Sequence, residues 1–384
     1  MTPKFVPLVV LLALTLVASA CGGSGDATTT TAADGDTTTT AEATTTAAAE
    51  ATTTAAGDTS TTAAAAAGGT IVAFMPSTTN TALAEWARGV RETADRLGYE
   101  VLIIENNFDQ AEQDAQVQQQ LGAGDSDVVA YAWWPADNEA GVASLQQLFE
   151  TGLPVIQTNQ YPFPGAEQYV VGYAGVNDTL NGEVAGQLVV EARDWLVDHG
   201  HELASEGGNA IIIGFVPGYQ AGIDRSAAAI PILEEAGINV LSQLDIGFGP
   251  QEGYDGTKQL LAKHSADGID VVYAHNSALA EGVIQALEEE GFTPGTDIMV
   301  VGGTCHGNLE YLEDGREFAT GMQAIRLEGT MTIEAIHEYL TTGELANFDN
   351  FIPNPPVHSP VYTDVNEIDT VEVSGFSVEE ICVY

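Results

Sequence analysis

Between residues 70 and 341 the sequence alternates short β-rich runs with amphipathic stretches of helical period, and it does so twice. The first series reads TIVAFMP (70–76), a helix near 81–97, EVLIIE (100–105), a helix over 109–121, DVVAYAWW (127–134), a helix over 137–151 and PVIQTN (154–159). After a long helical stretch over 178–198 the pattern restarts with NAIIIGFVP (209–217), a helix over 221–236, NVLSQLDIGF (239–248) and a helix over 251–264. It continues through DVVYAHN (270–276), a helix over 278–291, IMVVGG (298–303), a helix over 307–314, a strand near 317–323 and a helix over 326–341. Strand and helix in strict alternation predict parallel sheets, because strands running the same way need a crossover between them. The expected fold class is therefore α/β, with two doubly wound parallel-sheet lobes in series. In the first helix Leu83, Trp86, Val90, Ala94 and Leu97 fall at three- and four-residue steps, an apolar stripe to lie on a sheet, and Gly98 follows as a C-cap. Ligands of open parallel sheets bind beyond the carboxyl ends of the strands, so two such lobes enclose a cleft.

The N-terminus is of another kind. A lone Lys4 precedes an apolar run from Phe5 to Val17, then small residues lead to Cys21. The run is short for a membrane span and has the build of a secretory signal over 1–20. Ala18-Ser19-Ala20-Cys21, with Gly-Gly-Ser after it, resembles a bacterial lipoprotein lipobox, although Ala18 stands where Leu is usual. The resemblance implies cleavage before Cys21 and acylation there; ordinary cleavage near Ala20, leaving a free N-terminal Cys, is the other reading. From Ala27 to Ala67, 33 of 41 residues are Thr or Ala and none is basic, aromatic or large aliphatic. Such a stretch cannot bury enough apolar surface to offset its ordering entropy, so residues 21–68 read as a disordered tether.

Charge excludes whole classes of partner. Against 55 Asp and Glu stand 10 Lys and Arg, a formal charge of −45. Nucleic-acid binding depends on basic side chains displacing counterions, and docking on anionic lipid needs clustered basic residues; neither is available. Any membrane link must then be covalent. From Gly68 onward 9 basic residues face 49 acidic ones, a density of one sign that suits salty surroundings, where screening shortens the range of repulsion.

The segments IVAFMPSTTNTALAEWARGV, GYQAGIDRSAAAIPILEEAGINV, VVYAHNSALAEGVIQAL and IMVVGGTCHGN, in this order, resemble the type I periplasmic substrate-binding proteins of the ribose/galactose group, from about Thr70 to at least Leu340. That resemblance implies three crossings between the lobes, near Val176, Gln323 and Asn350. The lobes would then be 69–176 plus 324–350, and 177–323 plus 351–384. It further implies a monomeric, extracellular, non-enzymatic protein without cofactor, which closes over a small polar ligand such as a sugar or polyol and delivers it to the permease of an ABC importer. A sensor presenting its closed state to a membrane receptor is the rival within the same fold.

A sugar offers hydroxyls and C–H patches, so its binder wants amides, carboxylates or Arg for the first and aromatic faces for the second. At positions the family uses stand Asn80, Arg225, Phe248, Asn276 and Gln323, and Asp137 joins the candidate set. Three of them have a blander reading: Arg225 as a surface partner of Asp224 or a nearby Glu, Phe248 as core, Asn276 as a helix N-cap. Departures count as well. Asn159-Gln160 stands where sugar binders typically place Asp-Arg, Thr304 where they often place Asp, and Ala82 and Leu83 where two aromatic residues are expected. Trp133 and Trp134 are the candidates to take over the stacking, one pointing to the cleft and the other away. A Trp also suits a cationic head, which keeps a quaternary amine open as ligand.

Cys305 and Cys382, an even pair on the oxidising side of a membrane, favour one disulfide over two buried thiols. The cluster His199-Gly200-His201-Glu202 lies in a loop without a third ligand in range, so no metal site is expected. Cys305-His306 lacks the signature of a Cys hydrolase, and Gly256-Thr257-Lys258 has the wrong order for a phosphate loop. No catalytic motif emerges.

Overall fold

The computed structural model describes residues 68–382; the expected signal segment 1–20, Cys21 and the expected tether up to residue 67, and the last two residues lie outside the described residues. The first series folds as β1 (Thr70–Met75), α1 (Thr81–Leu97), β2 (Glu100–Glu105), α2 (Gln110–Ala123), β3 (Val128–Trp133), α3 (Val142–Phe149), β4 (Val155–Thr158) and β5 (Gly172–Gly175). The second gives α4 (Asp178–Asp198), β6 (Asn209–Gly214), α5 (Gln220–Glu235), β7 (Asn239–Asp245), α6 (Pro250–Lys263), β8 (Val271–Ala274), α7 (Ser277–Glu289), β9 (Met299–Gly302), α8 (Leu309–Glu313) and β10 (Ala319–Gly321). After α9 (Ile325–Thr342) come β11 (Asp349–Phe351), β12 (Pro356–His358), α10 (Glu367–Thr370), a hairpin of β13 (Glu372–Val373) and β14 (Phe376–Ser377), and α11 (Val378–Ile381).

Two six-stranded sheets result, ordered β2-β1-β3-β4-β5-β11 and β7-β6-β8-β9-β10-β12, and all pairs are parallel except β10 with β12. This doubly wound order reverses direction beside β1 and beside β6, which places a switch point in each lobe. The central strands are buried on both faces, so they read as continuous apolar runs: Ile71 to Met75 and Ile211 to Ile213 are all fully buried. Helix α1 lays Leu83, Trp86, Val90 and Ala94 on its sheet, and Gly98 ends it at φ +83°, donating its N–H to the carbonyls of Ala94 and Asp95.

β5 has no counterpart among the expected strands. Its four residues, GYAG, lack the β-branched signal, and packing accounts for their composition: a Cβ on Gly172 would meet Leu345 at 2.4 Å, and one on Gly175 the Tyr173 hydroxyl at 2.5 Å. Helix α3 starts at Val142 rather than at residue 137, because the Asp137 carboxylate accepts the N–H groups of Glu139 and Ala140 and makes a turn of that stretch.

The chain passes between the sheets three times: from β5 into α4, which packs on α5; from β10 into α9, which packs on α1; and from β11 to β12. The last passage follows Phe351, since Asp349–Phe351 still pairs with β5. The tail packs over these passages, with Ile368, Val373, Val378 and Ile381 in one apolar cluster with Val176, Met322, Ala324 and Ile352. In that cluster Cys305 is bonded to Cys382, closing a separation of 77 residues.

Candidate functional site

The carboxyl ends of nine strands converge on one cavity of about 290 Å³ between the sheets. The loops after β1, β2, β3 and β4 supply Asn80, Phe108, Trp134 and Asn159; those after β6, β7, β8, β9 and β10 supply Phe215, Phe248, Asn276, Thr304 and Gln323. Tyr219, before α5, and Arg225, within it, also stand on the C-terminal side.

Aromatic rings dominate the wall. Phe248 sits amid Phe108 (5.0 Å, stacked), Phe215 (5.1 Å) and Tyr219 (5.0 Å, edge-on), while Trp134 meets Trp86 edge-on at 5.5 Å. The contact of Phe108 with Phe248 joins one lobe to the other. A second link is the Tyr219 hydroxyl, which donates to Asn159 Oδ1 at 3.1 Å. Phe108 makes its contact from a left-handed backbone, φ +61°, next to Asn107 at +51°, a conformation that costs an ordinary side chain about 1 kcal/mol or more.

The candidates divide between wall and scaffold. Asn80 lines the cavity while its Oδ1 caps α1 through the Leu83 N–H. Asn276 also lines it with both amide ends engaged, Oδ1 by Leu279 N–H and Nδ2 by the Phe248 carbonyl, so capping and wall position coexist. Trp134 faces the cavity, and Trp133 turns to the opposite face of the sheet against Phe74. Gln160 is fully buried, its Nε2 donating to the Pro135 carbonyl, and Asp137 is exposed at its turn; neither reaches the cavity. Thr304 lines it with a buried hydroxyl oxygen that has no hydrogen-bond partner among the described residues.

Arg225 is not the surface partner of Asp224, which instead accepts from Gln220. Buried to 2 % exposure, it binds Asp178 Oδ1 at 2.8 Å, donates Nη1 to the His275 carbonyl at 2.7 Å and Nη2 to Gln323 Oε1 at 3.1 Å. Gln323 in turn donates Nε2 to Glu328 Oε2 at 3.2 Å, so the network runs from the cavity wall into α9 of the other lobe. Burial pushes Glu328 up to about 8, against the opposing hydrogen bond from Gln323, and pushes Asp178 up to about 6 against the pull of Arg225. Burial also lowers His306, on the cavity wall, to about 4, which leaves it neutral near pH 7.

A carboxyl group raised from 4.5 to about 8 binds more protons folded than unfolded within that window, so its contribution to stability is lost as pH rises from the lower value to the higher. Glu328→Gln is expected to remove one proton from that dependence, about 1.4 kcal/mol per pH unit in urea unfolding at pH 6, 7 and 8. An unchanged slope would mean that Glu328 is ionised in the fold.

Phe108, Phe215, Tyr219, Glu281 and His306 also line the cavity without having been singled out in the sequence. The strand-end rule that selected Phe248 would have selected Phe108 and Phe215 had it been applied to β2 and β6. Among the described residues no group of three or more His, Cys, Asp or Glu could hold a metal ion.

The family model described as a periplasmic binding protein domain matches residues 71–345. The chain is 24 % identical over 273 residues to the ribose import binding protein RbsB of Escherichia coli (strain K12), covering 71 % of this chain and 84 % of that one. In structure it is similar to a periplasmic ribose ABC transporter protein from Conexibacter woesei, with TM-score 0.63, 22 % identity and coverage of 77 % and 94 %. It is likewise similar to an ABC transporter solute binding protein from Bacillus halodurans with bound myo-inositol, with TM-score 0.65, 23 % identity and coverage of 77 % and 96 %.

Proposed function

We propose, from the premise that this chain belongs to the periplasmic binding protein domain family, that it captures a small polar ligand of the sugar or polyol class between its lobes for an ABC importer. It is a substrate-binding protein and not an enzyme. The observation that carries the ligand class is the wall: aromatic faces for C–H surfaces beside the amides of Asn80, Asn159 and Gln323, in a cavity at the small end of the range for bound small molecules. Sugar relatives support the same class, through the ribose name of the Escherichia coli protein and the inositol bound by the Bacillus halodurans one. Contacts drawn from both lobes make the shut state the better binder, so ligand shifts a hinge equilibrium toward closure, and the closed form is what the permease would recognise. The signal segment and Cys21 support a lipid-anchored protein on the outer face of the cell membrane, held off it by the tether.

The test is a thermal-shift panel of pentoses, hexoses and polyols on the purified protein in molar salt. At about 1,000 times its dissociation constant a ligand adds about 4 kcal/mol and moves the melt by several degrees. A panel without a single shift would end the sugar reading. Loss of uptake of the hit in a deletion strain separates an importer subunit from a sensor.

A further inference from the structure

We infer that the ligand of this cavity carries a cationic nitrogen, a protonated amine or a quaternary ammonium, that pairs with Glu281; the inference rests on the solute-binding reading above and commits to a charge for its ligand. Two charged side chains line the cavity, Arg225 and Glu281, and the protein neutralises only the first. Arg225, the one basic side chain there, is neutralised by Asp178, and its remaining bonds go to the His275 carbonyl and to Gln323. Gln323 uses both ends of its amide on Arg225 and Glu328, and Asn276 both of its own on Leu279 and Phe248. Neutral donors and acceptors remain for hydroxyls, the Thr304 hydroxyl and the second N–H or lone pair of each amide among them, but none of these groups carries a charge. The carboxylate of Glu281, half-buried on the second turn of α7, is different: its one hydrogen bond comes from the neutral amide of Gln285, and no cation pairs with it among the described residues.

Around it the wall is rich in π faces. Phe108, Trp134, Phe215, Tyr219 and Phe248 all line the cavity, and a ring face attracts a cation by its quadrupole, most strongly where water is excluded. Counted by charge, the wall and its paired Asp178 hold one positive group and two negative ones. The net charge of the chain, −45, favours cations over anions near its surface, at short range where salt screens longer distances. Rings, an unneutralised carboxylate and a net negative charge all favour the same ligand charge. Two kinds of molecule present that chemistry, an amino sugar and a small amino alcohol.

Matched pairs decide it, measured by titration calorimetry on the purified protein: D-glucosamine against D-glucose, and choline against its neutral carbon isostere 3,3-dimethylbutan-1-ol. At least one amine is expected to bind about tenfold or more tighter than its neutral partner, a difference of about 1.4 kcal/mol. Glu281→Gln should shrink that ratio to about threefold or less, and the pair that responds identifies the source. Equal or tighter binding of the neutral partners, or a ratio untouched by Glu281→Gln, overturns the inference. Binding of neutral sugars with silence from both amines overturns it and leaves the sugar-binding reading standing. Silence from all four together with the sugar and polyol panel overturns both.

Discussion

Arg225→Met is expected to destabilise the folded protein by about 3–5 kcal/mol, because it strands a buried carboxylate. Asp178 is 5 % exposed and opens α4 where the chain first passes between the lobes. Burial already drives its carboxyl up to about 6, and Arg225 is the principal force holding it ionised. Remove the guanidinium and Asp178 must take up a proton or draw in water, while the His275 carbonyl and Gln323 Oε1 lose a donor. Stacking is lost as well, since the guanidinium carbon lies 5.0 Å from the centre of the Phe215 ring on the cavity wall. The double variant Arg225→Met, Asp178→Asn should recover most of the loss, as replacing both members of a buried pair commonly does. Urea unfolding of the three proteins checks this, and a single-variant loss under about 1 kcal/mol would mean that the pair is solvated in the native state. Affinity is expected to fall as well. With its donors turned onto protein, Arg225 is placed to hold Gln323 and Phe215 at the cavity wall, so the expected loss comes through their displacement and not through the roughly 2 kcal/mol of a charge-assisted ligand bond.

That arginine shows where sequence reading reaches its end. Alternation of period 2 and period 3.6 was enough to place β1 to β4 and β6 to β10, because buried parallel strands declare themselves as apolar runs between helices. Strand-end position read together with the family resemblance likewise picked out Asn80, Trp134, Asn276 and Gln323, which line one cavity. Three things were not legible. β5 is glycine by the demand of Leu345 and Tyr173, contacts that arise only once the fold exists. The partner of Arg225, Asp178, is 47 positions away and on another helix, whereas its sequence neighbour Asp224 bonds elsewhere. Where two aromatic residues were expected after β1, Ala82 and Leu83 stand, and Phe108 and Phe248 meet at the cavity from the two lobes instead, a pairing that only the fold brings together.

Severing the Cys305–Cys382 bond is expected to cost about 4–5 kcal/mol, a loss comparable to that of the arginine but of another origin. In the chain-entropy account a cross-link destabilises the unfolded ensemble by closing a loop, with about 3 kcal/mol for 15 residues and about 4.7 for 100; the separation here is 77. The closed loop contains β10, α9, β11 and β12, so the bond spans the second and third passages between the sheets. At its far end it holds α11, a single helical turn with a hairpin before it, elements too small to hold their place by their own burial. Tail side chains pack on Val176, Met322 and Ile352, one residue from each passage, so the tail loses its fastening where the lobes hinge. Cys305→Ser, Cys382→Ser should therefore unfold at lower urea, and it should also bind ligand with altered opening and closing rates at little change in wall chemistry. Both cysteines are buried, so a reductant is expected to act slowly on the native protein and quickly once it is partly unfolded. A double Ser variant as stable as the parent would show that the apolar cluster alone fixes the tail, α11 included.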